Sequence, residues 1–537
     1  MPRNRWDLLD VPELGAWEPT LRVSVILPYY ENPEELHRTL LGLGEQTYPA
    51  DLIEVIVVDD GSPTRPPESP PPLPFSLKML RQEDLGYGLA RARNLGAEAA
   101  AGDVLVFLDS DMIPTRRHLE AHARWHHCAA GLVTVGFRFH AEFSGLADEK
   151  IVEAVRNDAV ADLFDPSEVQ RPTWIDDHME RTGDMLGPHE DLYLMMSGGN
   201  IGIDRDLYLQ AGGTDESFTR WGGEDNELAF RLLQLGAVVI PERAATAWHQ
   251  GEGHEPSEEE KQALRLQKPK MKSLIPDPSM RPHVPGRGYP RPFLLVHVDP
   301  ARHDAEVVGL TVDSLLGGDF TDLVVGVGPA RDDTENEWLV ATYEGDPRVV
   351  VGVTPAALIA SSPFSPARLT TLAGVGFSPD SLGRALAELG GPGVGLLHVT
   401  LPVEGDEVQL ARLVMTRAEN RARRLSPDDL DPTIGRLFGE RWVSGSSLGI
   451  WPIEDPLVDS LRVARRVHTG EIALLAQLED VSSRLLDLQA RRSMRFIDGL
   501  GTMVRARSWD DFKVGWRAVR GAIFRDRSHR QGEPPRG

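Results

Sequence analysis

The stretch VLVFLDSD, residues 104–111, is an apolar run that ends in Asp109-Ser110-Asp111. The stretch VIVVDDGS, residues 55–62, has the same design, and a shorter apolar run covers residues 23–27. Residues 34–43 have apolar side chains at helical spacing, and an alanine-rich helix is predicted at 88–101. This alternation predicts an α/β fold with a parallel, doubly wound sheet. The acidic clusters follow strand ends, where such sheets bind ligands.

Length, charge and cysteine content exclude several classes of protein. The 537 residues exceed one hydrophobic core, so at least two domains are expected. The formal net charge of -25 disfavours nucleic-acid binding, which depends on cations. Cys128 is the only cysteine, which excludes an intramolecular disulfide and fits a reducing cytoplasm. Because there is no secretion signal and no run of eighteen apolar residues, we expect a cytoplasmic protein, soluble or peripheral to a membrane.

Pattern changes divide the chain into four predicted parts. Residues 1–250 contain the alternation described above, whereas residues 251–290 are rich in Pro, Glu and Lys and are predicted to be a linker. Strands and helices restart in residues 291–454, which we interpret as a second copy. Residues 394–399 are matched there with 104–108, and 442–445 with 196–199. His398-Val399-Thr400 then replaces the acidic triplet and residues 326–328 replace Asp59-Asp60, so the copy is predicted to be non-catalytic.

Residues 455–537 are predicted to form a helical tail. Leucine and valine follow coiled-coil spacing for about two heptads, and residues 491–537 hold 12 Lys or Arg against 5 Asp or Glu. Aromatic residues such as Trp509 and Trp516 lie among these cations. The tail therefore suits contact with anionic lipid, although a solvated helix packed on its own domain fits equally well. The sequence also leaves an oligomer open.

Six sequence blocks occur in a fixed order. They are VSVILPYYEN at 23–32, VVDDGS at 57–62, GYGLARARNLG at 86–96, FLDSD at 107–111, SGGNIGIDR at 197–205 and GGTDESFTRWGGEDNELAFRL at 212–232. The first four resemble the donor half of family 2 glycosyltransferases, and the last resembles the acceptor-side motif of galactosyltransferase-type enzymes with the GT-A fold. The resemblance covers residues 21–250. It implies a GT-A catalytic domain, followed here by a second degenerate copy and the helical tail.

The resemblance implies a nucleotide-diphosphate sugar as donor and Mn²⁺ or Mg²⁺ as cofactor. An Asp-x-Asp turn after a buried strand is suited to holding such an ion against a diphosphate. Asp111 is expected to bind the metal directly, Asp109 to contact ribose or a metal-bound water, and His249 to complete the metal shell. The residues expected to contact the nucleotide are Pro28, Tyr30, Glu31, Asp59, Asp60 and Arg93. Helix capping for Asp60, a structural role for His249 and a surface position for Arg93 stay open.

The acceptor side is expected to supply the catalytic base. The resemblance selects Asp225, with Glu224 as its neighbour, although an acidic first helical turn also favours these residues. Residues 198–200, Gly198, Gly199 and Asn200, resemble a loop near donor sugar and acceptor, and Trp221 is expected to stack on a sugar or to be part of the core. Related retaining enzymes carry Asn at the position of Asp225, so inversion is favoured.

Other functions fit the sequence less well. A nucleotidyltransferase needs a Gly-rich basic phosphate loop, and residues 25–31 lack one. A processive synthase needs membrane-spanning helices. A sugar-binding scaffold with two inactive copies and a retaining glycosyltransferase stay open. The acceptor is expected to be a glycan, a glycolipid or a small molecule, and the donor sugar stays open.

Overall fold

The computed structural model describes residues 2–453 apart from 68–69, 188–190, 252, 254–256, 283, 285–286, 301–302, 392 and 404–405. The predicted helical tail at 455–537 lies outside these residues. Among the described helices, none has the length and apolar character needed to cross a bilayer.

The first half contains eight strands and eight α-helices among the described residues. In chain order they are β1 (Val23–Tyr29), α1 (Pro33–Gly44), β2 (Ile53–Asp59), β3 (Ser76–Arg81), α2 (Leu89–Ala99), β4 (Val104–Leu108), β5 (Met112–Pro114), α3 (His118–Cys128), β6 (Leu132–Ala141), α4 (Asp148–Arg156), α5 (Thr173–Thr182), β7 (Asn200–Asp204), α6 (Arg205–Ala211), α7 (Glu224–Gln234), β8 (Val238–Gln250) and α8 (Glu258–Leu274). Strands β1 and β4 are buried along their whole length because helices cover both faces of the sheet.

The second half begins again with a strand. Its elements are β9 (Leu294–Asp299), α9 (Ala305–Leu316), β10 (Leu323–Val327), α10 (Asp333–Tyr343), β11 (Val349–Val351), α11 (Pro355–Ser361), β12 (Ala367–Leu372), β13 (Val375–Phe377), α12 (Ser381–Leu389), β14 (Leu396–Val403), β15 (Asp406–Met415), α13 (Thr416–Leu425), α14 (Leu430–Phe438), β16 (Glu440–Ser444), α15 (Gly445–Leu448) and β17 (Ile450–Pro452). This half has a separate apolar core of its own.

The two sheets have the same topology. The first has the order β3-β2-β1-β4-β7-β6-β8-β5 and the second the order β11-β10-β9-β12-β15-β14-β16. In both, the fourth strand is parallel to the third and antiparallel to the fifth. The sixth and seventh strands are parallel in both. Strands β13 and β17 pair as β5 and β8 do. The second half therefore repeats the first strand for strand, and the predicted degenerate copy of the fold is confirmed.

The strand register corrects the predicted alignment of the two copies. Strand β12 pairs with β9 as β4 pairs with β1, so the match of residues 394–399 with 104–108 is wrong. Counted from these pairs, Leu372-Ala373-Gly374 takes the place of Asp109-Ser110-Asp111. Residues 442–445 correspond to β8 rather than to residues 196–199. His398 and residues 326–328 therefore do not replace the acidic residues, and Pro329-Ala330 takes the place of Asp59-Asp60.

The segment predicted as a linker contains helix α8. Ser257 and Glu260 form a reciprocal capping box at its start, which satisfies two backbone N–H groups. Met271 is buried on the first half, and the Gln267 side chain donates to the carbonyl of Arg220 over 3.1 Å. Much of residues 251–290 is thus ordered and packed. The sequence did not indicate this helix because it is highly charged and contains Pro269.

Helix α13 of the second half contacts the C-terminal end of α7. Arg421 donates to the carbonyls of Gly236 and Ala237 over 2.8 and 2.7 Å, and Asn420 donates to the carbonyl of Gln234 over 2.9 Å. Gln234 is the last residue of α7, whose carbonyl has no intrahelical partner, and Gly236 and Ala237 lie in the turn between α7 and β8. The second half therefore supplies donors to the end of α7 and to the turn that follows it.

Candidate active site

A cavity of about 370 Å³ opens at the carboxyl end of β1 beside the start of α2. Its lining consists of Pro28, Tyr29, Tyr30, Asp60, Gly86, Tyr87, Leu89 and Ala92. Tyr30 is 48% exposed, so its ring can cover a planar ligand. The structure thus brings together three of the residues predicted to contact the nucleotide. Tyr87 was missed, although its position between two glycines was a signal of close backbone approach.

The two aspartates that follow β2 have different environments. Asp59 is buried and forms an ion pair with Arg81, and it also accepts from the Ser62 N–H over 2.8 Å. Asp60 lines the cavity and accepts from the Gly88 N–H over 2.8 Å at the start of α2. Burial raises the pKa of Asp60, opposed by hydrogen bonds from Gln82 and Gly88. Asp60 is therefore the one placed to meet a ligand, while Asp59 shapes the turn.

Asp111, the residue before β5, lies beside His249 of β8. His249 Nε2 lies 3.2 Å from Asp111 Oδ2, and the two strands pair at Met112 and His249. Asp111 Oδ1 is buried and has no hydrogen-bond partner among the described residues. His140 packs on His249, with ring centroids 4.6 Å apart. An unsatisfied carboxylate oxygen beside an imidazole fits a divalent cation, for which both groups are suitable ligands.

In the part of the chain that the structure describes, no three His, Cys, Asp or Glu side chains are arranged to hold a metal ion by themselves. An ion at Asp111 would therefore need further ligands from a diphosphate or from water. That is the usual arrangement for Mg²⁺, which binds one or two carboxylates together with substrate phosphates.

Arg93 lies between the acidic turn after β4, at Asp109, and the acidic start of α7, at Glu224. It is 5% exposed, and its guanidinium is 3.5 Å from Asp109 Oδ1 and 3.2 Å from Glu224 Oε1. The arginine is thus not a surface residue. It links the residue after β4 to the first residue of α7, so it lies next to the place expected for a diphosphate.

Gly198 and Gly199 connect the same two regions through the backbone. The Asp109 N–H donates to the Gly199 carbonyl over 3.0 Å, and the Gly198 N–H donates to Asp225 Oδ2 over 3.2 Å. A methyl group on Gly198 would lie 2.6 Å from Arg93 Nη1, and one on Gly199 would collide with the Asp109 carboxylate. Only glycine therefore fits at either position.

Asn200 has a different role from the one predicted. It is 1% exposed, and its Nδ2 donates to the carbonyls of Phe137 and Ala245 over 3.0 and 2.9 Å. Its Oδ1 lies 2.8 and 3.1 Å from the Nε2 atoms of His118 and His122. The hydrogen bonds of the Asn200 amide are all made with the protein. We therefore assign Asn200 to positioning the loop of Gly198 and Gly199, called the glycine loop below, rather than to ligand contact.

Glu224 and Asp225 begin α7 after two glycines with positive φ. Gly222 and Gly223 have φ values of 93° and 98°, which only glycine adopts readily. Glu224 is 4% exposed, and burial together with neighbouring Asp225 raises its pKa to about 7, opposed by Arg93. Asp225 is half-buried and its Oδ2 faces the glycine loop. Trp221 is 40% exposed before the turn, so it is not a core residue.

The first half of the chain is similar in sequence to known protein families and to individual relatives. Residues 24–151 match the family model described as glycosyl transferase family 2, and residues 178–244 match the model described as N-terminal domain of galactosyltransferase. Chondroitin synthase from Escherichia coli is 30% identical over 240 residues, which are 42% of this chain and 34% of that protein. Validoxylamine A glucosyltransferase from Streptomyces hygroscopicus subsp. limoneus is 32% identical over 243 residues, 43% of this chain and 52% of that protein.

Among solved structures, a mannosyltransferase from Pyrobaculum calidifontis in complex with GDP-Man and Mn²⁺ aligns with a TM-score of 0.33 and 20% identity. The alignment covers 49% of this chain and 66% of that one. The chain matches between a third and about half of the length of the two curated relatives.

The fold, the carboxylate arrangement and the family matches define the first half as a glycosyltransferase domain with the GT-A fold. More particularly, residues 24–151 are similar to family 2 glycosyltransferases and residues 178–244 to galactosyltransferases.

Proposed function

We propose that the first half is an inverting, metal-dependent enzyme that transfers a sugar from a nucleotide-diphosphate donor to a hydroxyl of a glycan or glycolipid. The observation that carries the proposal is that one loop joins the acidic turn at Asp109 to the acidic start of α7 at Asp225. The glycine loop contacts Asp109 on one side and Asp225 on the other. A donor whose diphosphate is held near Asp109 and Asp111 would thus place its sugar beside Asp225.

The donor is expected to bind with its base in the cavity at Tyr30, Asp60 and Tyr87. Asp111 and His249 would hold the divalent cation, with Asp109 beside it. The cation would neutralise charge on the departing nucleoside diphosphate. Arg93 would add positive charge at the same place, since it is fixed by Asp109 and Glu224.

Asp225 is the base in this proposal. Its Oδ2 is held by the Gly198 N–H, and the half-buried carboxylate can accept the proton of the attacking hydroxyl. Glu224 is unsuited to this role because it is buried and paired with Arg93. Inversion is supported because this chain has an acidic Asp225 where similar retaining enzymes carry Asn, and inversion needs a base there.

The test is a panel of nucleotide sugars offered to the purified full-length protein with and without Mn²⁺. We expect one donor to bind only with the metal, and Asp111→Ala to abolish that binding. Asp225→Asn should keep donor binding and lose transfer by about 100-fold to 10,000-fold, the range expected for a general base. Asp206→Ala, at an exposed aspartate of α6, serves as the matched control and should change neither measurement.

The outcome is read from binding, from turnover and from the anomeric configuration of the product by NMR. A product with the donor's configuration would contradict inversion and place the enzyme among the retaining ones. Absence of donor binding with any metal would contradict the enzyme proposal and favour a sugar-binding scaffold.

A further inference from the structure

One row of side chains crosses a face of the second sheet at a single level. Paired strand by strand, the row consists of Trp442 on β16, His398 on β14, Arg412 on β15, Thr370 on β12 and His297 on β9. Because directly paired residues point to the same side of a sheet, all five belong to one face. We call this the Trp442 face.

The equivalent row of the first sheet is entirely different. There the register places Val135, Ile201, Phe107 and Ile26, which all belong to one buried apolar cluster. In the first half, residues 142–199 separate β6 from β7, whereas β15 follows β14 almost directly in the second. The second half therefore lacks a covering segment of this length and carries polar and aromatic side chains on the equivalent face.

Trp442 presents an indole ring in a fixed position. Its ring stacks on His398 with centroids 4.0 Å apart and 11° between the planes, and Trp442 is still 55% exposed. His398 is 4% exposed, and neither of its ring nitrogens has a hydrogen-bond partner among the described residues. Glu440 Oε2 lies 3.7 Å from His398 Nε2 on the same strand as Trp442. One indole face is thus supported and the other is accessible.

A second tryptophan is uncovered for the same reason. Trp451 pairs with Gly376 as Trp248 pairs with Ile113 in the first half. Trp248 is 4% exposed, whereas Trp451 is 45% exposed. A Cβ at Gly376 would lie 2.8 Å from the Trp451 ring, so the ring lies against the glycine backbone.

The residues that would be needed for catalysis are missing or occupied in this half. Gly374 takes the place of Asp111, and Pro452 takes the place of His249. Asp431 is the second residue of α14, as Asp225 is of α7, but its carboxylate is held by Arg412 Nε and Nη2 at 3.1 and 2.6 Å. This half can therefore bind a ligand without acting on it.

We propose that the Trp442 face is an oligosaccharide-binding site. A pyranose ring has an apolar C–H face, which packs on the electron-rich face of an indole, and a rim of hydroxyls, which needs hydrogen-bonding groups beside that ring. Glu440 and Thr370 are exposed polar groups of this face. That the bound oligosaccharide is the acceptor of the first half rests on the proposed function, whereas the binding itself does not.

The experiment is a binding titration of the full-length protein with a panel of neutral and acidic oligosaccharides, without nucleotide sugar or metal, followed by calorimetry. We expect at least one oligosaccharide to bind and Trp442→Ala to weaken it by about tenfold or more, as the loss of one stacking contact implies. Trp442→Phe keeps a ring and should retain part of the affinity. The matched control is Trp338→Ala, since Trp338 is a 41% exposed tryptophan on α10 of the same half.

Asp225→Asn separates this inference from the proposed function. Oligosaccharide binding that survives Asp225→Asn and fails with Trp442→Ala supports a site on the second half, whether or not transfer is ever detected. Equal binding by wild type, Trp442→Ala and Trp451→Ala would overturn the inference. So would failure of the whole panel to bind, or capture of a protein partner on this face with no oligosaccharide bound.

Discussion

At the scale of single residues, the site is held together by charges that water hardly reaches. Arg93 is fixed between Asp109 and Glu224, and removing a partner from such a buried group leaves an uncompensated charge that costs several kcal/mol. Arginine suits this position because its planar guanidinium holds five N–H donors in fixed directions, whereas a lysine ammonium is a point charge on a flexible stem. The geometry of the acidic turn at Asp109 and of the start of α7 is therefore coupled through one side chain.

The raised pKa of Glu224 makes stability depend on pH. Between about pH 4.5 and 7 the folded protein holds a proton that the unfolded chain has released, so the free energy of unfolding falls as pH rises through this window. Glu224→Gln removes that dependence. We expect the difference in the free energy of unfolding between variant and wild type to move in favour of the variant by roughly 2 to 3 kcal/mol as pH rises from about 4.5 to 7, and to stay level above that.

The measurement is urea unfolding of both proteins at a series of pH values. Glu259→Gln, an exposed position on α8, is the control and should run parallel to wild type. A difference between Glu224→Gln and wild type that stays constant across the window would contradict the raised pKa.

Asn200 tests the distinction between positioning and ligand contact. Asn200→Ala leaves the carbonyls of Phe137 and Ala245 without donors, so we expect a loss of about 2 to 4 kcal/mol in the free energy of unfolding. Asn226→Ala removes one long hydrogen bond of 3.4 Å and should cost less than about 1 kcal/mol. Weakened donor binding with unchanged stability in Asn200→Ala would instead identify a ligand contact.

The sequence predicted which residues carry the chemistry of the site, but it did not predict which of them are buried behind it. Asp60 and Asp111 were predicted because acidic turns after buried strands have a recognisable pattern. The burial of Asn200 depends on His118, His122 and two carbonyls that lie far away in sequence. No local pattern reports such contacts, so the sequence could not separate a ligand-binding amide from one that orders the loop.

At the scale of elements, α8 supports the turn that carries the proposed base. A methyl group on Gly223 would lie 2.7 Å from Met271 Sδ, and Gly223 also has φ of 98°. We expect Gly223→Ala to lower stability by more than the roughly 1 to 2 kcal/mol of a left-handed alanine and to reduce transfer together with it. Thermal unfolding and turnover are measured on the same samples.

Gly212 offers a matched control, since it has φ of 82° and a methyl group there meets nothing within 4 Å. Gly212→Ala should show the backbone cost alone. Adding Met271→Ala to Gly223→Ala should relieve the steric part only. Equal losses in Gly223→Ala and Gly212→Ala would show that α8 contributes nothing to the turn.

Strand β12 explains why the predicted alignment of the two copies failed. Its sequence ARLTTL places Arg368 and Thr370 on one face, so it lacks the apolar run that identified β4. Strand β14 retains such a run and was matched instead. Pattern matching follows hydrophobicity, and on this face of β12 Thr370 is exposed while Arg368 is buried and paired with Glu419 of α13, so neither position is apolar.

At the scale of the whole molecule, the second half supplies hydrogen-bond donors to the turn between α7 and β8 of the first. Arg421→Ala leaves the carbonyls of Gly236 and Ala237 unsatisfied, so we expect a loss of about 2 to 4 kcal/mol and separate melting of the two halves. Arg423→Ala, on the same helix but with its side chain 56% exposed, should cost less than about 1 kcal/mol. Calorimetry reads both effects, and a single unchanged transition in Arg421→Ala would contradict the prediction.

The bond between Arg421 and Gly236 also has a consequence for how the chain is made. Its two residues are 185 positions apart, so at ordinary translation rates Arg421 emerges roughly 10 to 40 s after Gly236. The first half is then already synthesised while the arginine that binds these turn carbonyls is still being translated. It persists on the ribosome with the carbonyls of Gly236 and Ala237 still lacking their Arg421 donor, which makes this interval the stage at which premature termination would release an incomplete enzyme.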